Sequence, residues 1–127
     1  MTVRMTGRVV LRVGDKVVES TALFDTGATK SFVDLALAEK VGFTRYDKPR
    51  EVMLAVKGSK ARAIGYIVAR VEVEGYELPL EHVFGVIEGL RHSVIIGMDI
   101  IELYEMILDV REGKVRFRRY PPTVELV

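Results

Sequence analysis

The chain has 127 residues, with 49% hydrophobic and 29% charged side chains. That length fits one domain spanning residues 1–127 and supports a real core, and the balance is globular rather than disordered or membrane-spanning. Cysteine is absent, which rules out disulfides, thiol nucleophiles and cysteine-ligated zinc, and a formal net charge of +1 gives no strong field to recruit nucleic acid or an anionic membrane. Tryptophan, asparagine and glutamine are missing too. Amides are thermolabile, so this composition points to a thermophile.

Twenty valines and eight isoleucines favour strands. Residues 1–6 alternate polar and apolar, a strand pattern rather than a signal peptide. Residues 9–13 form a first strand, Gly14-Asp15 a hairpin turn, and residues 17–24 the return. Asp34 is placed to cap a helix over 35–41, and Gly42 to end it. Residues 51–56 read as a strand, Lys57-Gly58-Ser59-Lys60 as a polar turn, and 61–73 as a long strand. Glu74-Gly75 turns the chain into a strand over 77–87. Residues 97–104 predict a second short helix. The segments 106–110 and 114–117 flank the hairpin signal Arg111-Glu112-Gly113. Tyr120-Pro121-Pro122 ends that hairpin and frees residues 123–127. The most apolar stretch, 94–101, contains Asp99 and is too short to span a bilayer, so a soluble cytoplasmic protein is expected. The fold class read from this pattern is all-β in the main, with one or two short helices and a closed or folded-over sheet.

Few residues promise chemistry. His82 and His92 have no metal-ligand spacing, and no Gly-x-Ser-x-Gly elbow accompanies them. Both read as structural histidines, and neither a metal nor a cofactor is expected. Lys114, Arg116 and Arg118 alternate with Val115 and Phe117, the pattern of a strand's solvated face. Residues 22–29 differ. There a hydrophobic strand runs straight into Asp25, then Thr26 and Gly27. The acid is held where a buried strand ends, in a turn whose glycine lets other backbone approach closely. A carboxylate so placed can be tuned for acid–base work, although an ordinary Asp-Thr-Gly turn has the same letters.

Downstream stands Val94-Ile95-Ile96-Gly97-Met98-Asp99, and between the two segments lies the hairpin with the tip Lys57-Gly58-Ser59-Lys60. In that order the three elements resemble a retropepsin-like aspartic protease, from about Val9 to Phe117. The likeness is greatest to the retroviral-protease-like domain of the DNA-damage-inducible ubiquitin-shuttle proteins. The resemblance implies an acid-protease barrel in which this chain is a half-site protomer. Such enzymes use two carboxylates, and this chain has one Asp-Thr-Gly. A homodimer would therefore supply an Asp25 from each subunit.

By the same resemblance, Thr26 would lock the two active-site turns together across the dimer, and Gly27 would let substrate and carboxylate come close. Ala28 and Thr29 would contact an extended peptide or unfolded protein. Lys57, Gly58 and Ser59 would form a flap over it, and Leu23 and Ile95 would wall side-chain pockets. Specificity near the cut would be apolar, since no charged pocket residue is evident. Ala28 stands where many relatives carry serine, which implies an optimum less acidic than a pepsin's. An ion pair between Lys30 or a neighbour and Asp99 is expected. Residues 123–127, with Val3 to Met5, are expected to build an intersubunit sheet. The alternative function is a peptide- or protein-binding module that kept this fold with weak catalysis or none.

Overall fold

The computed structural model describes residues 1–54 and 59–124. The expected flap residues Lys57 and Gly58, and residues 125–127 of the tail, lie outside the described residues. Among the described residues, nine strands and two helices follow one another. They are β1 (Arg4–Val13), β2 (Lys16–Asp25), β3 (Phe32–Asp34), α1 (Leu35–Val41), β4 (Thr44–Met53), β5 (Lys60–Val73), β6 (Tyr76–Ile87), β7 (Val94–Ile96), α2 (Met98–Ile101), β8 (Met106–Asp109) and β9 (Lys114–Phe117).

Alternation sets the inward faces. Met5, Val9 and Leu11 on β1, Ala22 and Phe24 on β2, and Ile67, Ala69, Val71 and Val73 on β5 are all buried in one core. Gly14, in the left-handed region at φ 58°, closes the β1–β2 hairpin, whose register runs from Val13↔Lys16 to Arg4↔Asp25. The sheet order β1-β2-β7-β3-β6-β5 closes on itself because the last residues of β5 pair with β1, from Val9↔Val73 to Arg12↔Arg70. The first residues of β5 pair instead with β4, so β4 lies outside the ring of six. The expected all-β barrel with two short helices is the fold observed.

Helix α1 has the expected bounds. The Asp34 carboxylate accepts the Ala36 N–H, and Gly42, at φ 83°, donates its N–H to the Ala38 carbonyl. Helix α2 is shorter than expected, a single turn over Met98–Ile101 instead of 97–104. Hairpin β8–β9 turns Val115 into the core, while Arg116 meets Asp109 at 3.0 Å and Arg118 meets Glu105 at 3.8 Å. The basic run is thus the solvated face it was read as.

Three strands escaped the sequence pattern or were cut short by it. β3 and β7 have three residues each, too few to show a period. β4 starts at Thr44 rather than residue 51, because its first half is an edge that buries little. Tyr46 stacks on Tyr66 at 5.6 Å and Arg50 lies 3.9 Å over the Tyr46 ring, so rings and a cation hold that edge where alternation is lost.

One polar contact inside the fold carries a pH dependence. Tyr104 is 1% exposed, and its hydroxyl accepts the Leu80 N–H at 3.3 Å. His82 Nε2 lies 2.6 Å from the same hydroxyl. Burial pushes the His82 pKa below the usual 6.5, against the opposing pull of Asp99 and Glu81. The unfolded chain therefore takes up a proton on His82 first as the pH falls. The contribution is complete above the unfolded value of 6.5 and is lost as the pH drops toward the lower folded value. Melting temperatures compared between about pH 7.5 and about pH 5.5 are expected to fall further for the wild type than for His82→Gln.

Candidate active site

The buried side chain of Phe24 anchors the end of β2, and Asp25 follows it at 4% exposure. Its Oδ1 accepts the Gly27 N–H at 2.8 Å and its Oδ2 accepts the Arg4 Nε–H at 3.0 Å. Arg4 is also the residue across the ladder from Asp25. One step further, Thr26 N–H donates to the Val3 carbonyl at 3.0 Å, and Thr26 Oγ1 accepts the Val3 N–H at 2.8 Å. A Cβ on Gly27 would sit 3.0 Å from Thr2 Cγ2 and 3.1 Å from Asp25 Oδ1. The turn is therefore covered by the first residues of its own chain.

Within the chain, Val3 to Met5 run along the end of β2, and the Thr26 hydroxyl meets Val3. The cause is the hairpin itself. Its strands have ten residues each, and the two-residue turn carries β1 back past Asp25.

The other wall of the turn comes from β7 and α2. β7 is inserted between β2, to which it is parallel, and β3, to which it is antiparallel. This sets Leu23 directly beside Ile95. At Gly97 a Cβ would lie 2.4 Å from the Lys30 carbonyl oxygen and 2.8 Å from that of Ala28, a separation only glycine allows. Met98 N–H donates to the Ala28 carbonyl at 2.7 Å, and Asp99 N–H to that of Thr29 at 3.2 Å. Asp99 Oδ1 accepts the Ser31 hydroxyl at 2.7 Å, and its Oδ2 accepts the Ser31 N–H at 3.2 Å. The Ser31 oxygen in turn accepts the Gly97 N–H at 2.9 Å. The expected meeting of Lys30 with Asp99 is thus replaced. The neighbour Ser31, 2% exposed, takes the carboxylate through its backbone and hydroxyl, and Lys30 points to solvent.

The turn opens into a cleft of about 820 Å³. Of the predicted site residues, Leu23, Asp25, Gly27, Ala28, Thr29 and Ile95 line it. Thr26 faces Val3 instead. Ser59 stands at the hairpin arm, where its carbonyl accepts the Leu54 N–H at 2.8 Å. The structure adds the apolar Phe32, Val52, Met53, Leu54 and Leu90, and the cations Arg4, Lys30 and Arg91 with His92. This corrects the reading that no charged residue reaches the pocket. Arg91 and His92 sit just before β7, and only the insertion of that strand brings them to the cleft. No local pattern announces it.

Among the described residues, Asp25 is the one carboxylate in the lining. Among the described residues no three or more His, Cys, Asp or Glu side chains group to hold a metal ion. No helix among the described residues is long and apolar enough to cross a membrane.

The Ser31–Asp99 contact is expected to carry stability and Lys30 is not. Asp99→Ala leaves the buried Ser31 donors without an acceptor, and should cost about 1–3 kcal/mol in urea unfolding. Lys30→Met should leave the unfolding midpoint where it is.

Comparison with known proteins agrees with this architecture. The family model described as aspartyl protease matches residues 9–100. No curated protein matches the chain. Among solved structures, the retroviral protease-like domain of Ddi1 from Leishmania major is similar at a TM-score of 0.63 and 22% identity. The likeness covers 91% of this chain and 90% of that one. At that identity the likeness speaks for the fold. The family match spans β1 to α2 and takes in the Asp25 turn and the Gly97 approach together, and on it the chain belongs to the aspartyl protease family.

Proposed function

We propose that the chain, as one unit over residues 1–127, is an aspartic endopeptidase acting as a homodimer on extended peptides or unfolded protein. The observation that carries this reading is the buried Asp25 carboxylate at the floor of a largely apolar cleft of peptide size. Two copies of the turn facing each other would supply two carboxyls with one shared proton. The charged one takes a proton from water, whose oxygen adds to the peptide carbonyl carbon. The neutral one donates its proton to the carbonyl oxygen. Collapse of the resulting diol breaks the C–N bond, and the amine leaves with a proton.

In this reading Thr26 and Gly27 shape the catalytic turn. Leu23 and Ile95 wall side-chain pockets, Ala28 and Thr29 offer backbone and hydroxyl contacts, and the arm carrying Lys57, Gly58 and Ser59 closes over the substrate. Arg4 has to release Asp25 Oδ2 before a second carboxyl or a water can reach it. That same contact favours the second reading, a peptide-binding module in which Asp25 serves only to hold Arg4.

Cleavage of a diverse peptide mixture, read by mass spectrometry from about pH 3 to about pH 7, separates the two. Asp25→Asn is expected to lose every cut that the wild type makes, and the active wild type is expected to sediment at twice the chain mass. A folded, dimeric wild type that binds peptides and cuts none would establish the binding module. Cuts that persist in Asp25→Asn would end the aspartic mechanism.

A further inference from the structure

We infer that the cleft selects extended peptides whose apolar centre is flanked by acidic side chains, with Lys30 and Arg91 as the residues that read them. The inference rests on the proposed peptide-binding reading and adds a substrate class to it. The whole molecule carries a net charge of only +1, yet among the described residues the cleft lining brings together Arg4, Lys30 and Arg91 against one acid, Asp25. That acid is buried and already paired with Arg4 at 3.0 Å. It leaves nothing for the other two cations. Lys30 and Arg91 are both exposed, and among the described residues neither meets a carboxylate.

Some surface cations are matched, whereas among the described residues Lys30 and Arg91 are not and stand at a concave site. Arg8 meets Glu19, Arg70 meets Glu77 and Arg116 meets Asp109. A pair of unmatched cations beside low-dielectric apolar walls focuses a positive potential into a concave site, where a ligand carboxylate can answer it. The apolar walls decide what kind of anion fits. Leu23, Phe32 and Ile95 suit aliphatic or aromatic side chains between the charges, which a peptide provides. A basic flank would set like charge against Lys30 and Arg91, so the same residues that attract one peptide reject another.

The test uses the full chain and labelled peptides that share an apolar centre and carry Glu, Gln or Lys on both flanks. Cleavage by the wild type is one readout. Binding to Asp25→Asn by fluorescence anisotropy is the other, and it needs no turnover. The expected order is Glu over Gln over Lys, with about threefold per acidic residue, the range of exposed ion pairs. The ratio should shrink as salt rises toward about 0.5 M. In the Lys30→Glu/Arg91→Glu double variant it should turn in favour of the Lys peptides.

Equal handling of the three peptides by the wild type, in cutting or in binding, overturns the inference. So does an order that salt does not compress, a result that stands even if the double variant fails to fold. An oligonucleotide of equal charge that binds as well as the Glu peptide overturns it too, because the apolar centre would then contribute nothing. Preferential binding of the Glu peptide without any cutting upholds the inference and removes the endopeptidase reading, so the two can fail separately.

Discussion

The backbone of residues 28–31 lies against Gly97 so closely that no side chain could stand between them. Much of the site depends on that contact. It lets Met98 and Asp99 donate their N–H groups to the carbonyls of Ala28 and Thr29, and it brings the Asp99 carboxylate onto Ser31. Carbonyls of this loop and the buried Ser31 are thereby satisfied by the first turn of a very short helix. With the loop fixed at one end by β7 and at the other by β2, the direction of the Asp25 turn follows. The helix gains as well, because a single turn has little stability of its own.

The insertion of β7 between β2 and β3 makes this approach possible. A three-residue strand contributes few hydrogen bonds, yet Val94 and Ile96 are wholly buried and Ile95 faces the cleft beside Leu23. Asp34 fastens the other side of the same knot. One of its carboxylate oxygens caps α1 through Ala36, and the other accepts the Leu90 N–H at 2.8 Å. Its backbone N–H bonds the Ser93 carbonyl. One residue thus ties the helix, the segment before β7 and the end of β3 together, which is why Leu90, Arg91 and His92 reach the cleft at all.

Much of this was legible from residue types. The long strands declared themselves by alternation, α1 by the Asp34 cap and Gly42, and the site by Asp25-Thr26-Gly27 and Ile95-Ile96-Gly97. What stayed hidden has physical reasons. Three-residue strands carry no period. The first half of β4 is held by ring stacking and an arginine, and those contacts leave no alternation. Ser31 carries no local signal, because the carboxylate it meets lies 68 positions away in the chain. Lys30 and Asp99 were matched by charge, and the fold matched by geometry instead. An exposed lysine gains little from an exposed pair, whereas a buried serine must find an acceptor. The cations of the cleft could not be read at all, since residues far apart in sequence share one wall only after β7 is in place.

The Arg4–Asp25 contact shows how the buried acid is satisfied within one chain. A carboxylate at 4% exposure would be costly without partners, and here one backbone N–H and one guanidinium supply them. The arginine comes from the strand that covers the turn, so the segment that shields the acid also satisfies it. Side-chain exposure is 45% for Arg4 against 5% for Asp25, so the cation keeps much of its hydration while the acid does not. Moving Arg4 away therefore costs little on the arginine side and leaves a buried acid in search of a new partner. A second carboxyl sharing a proton with the first would be such a partner, held by a hydrogen bond instead of by opposite charge. The lone chain and the proposed homodimer would then be two ways of meeting one electrostatic need. A cleft that carries its remaining cations further out keeps its positive character in both.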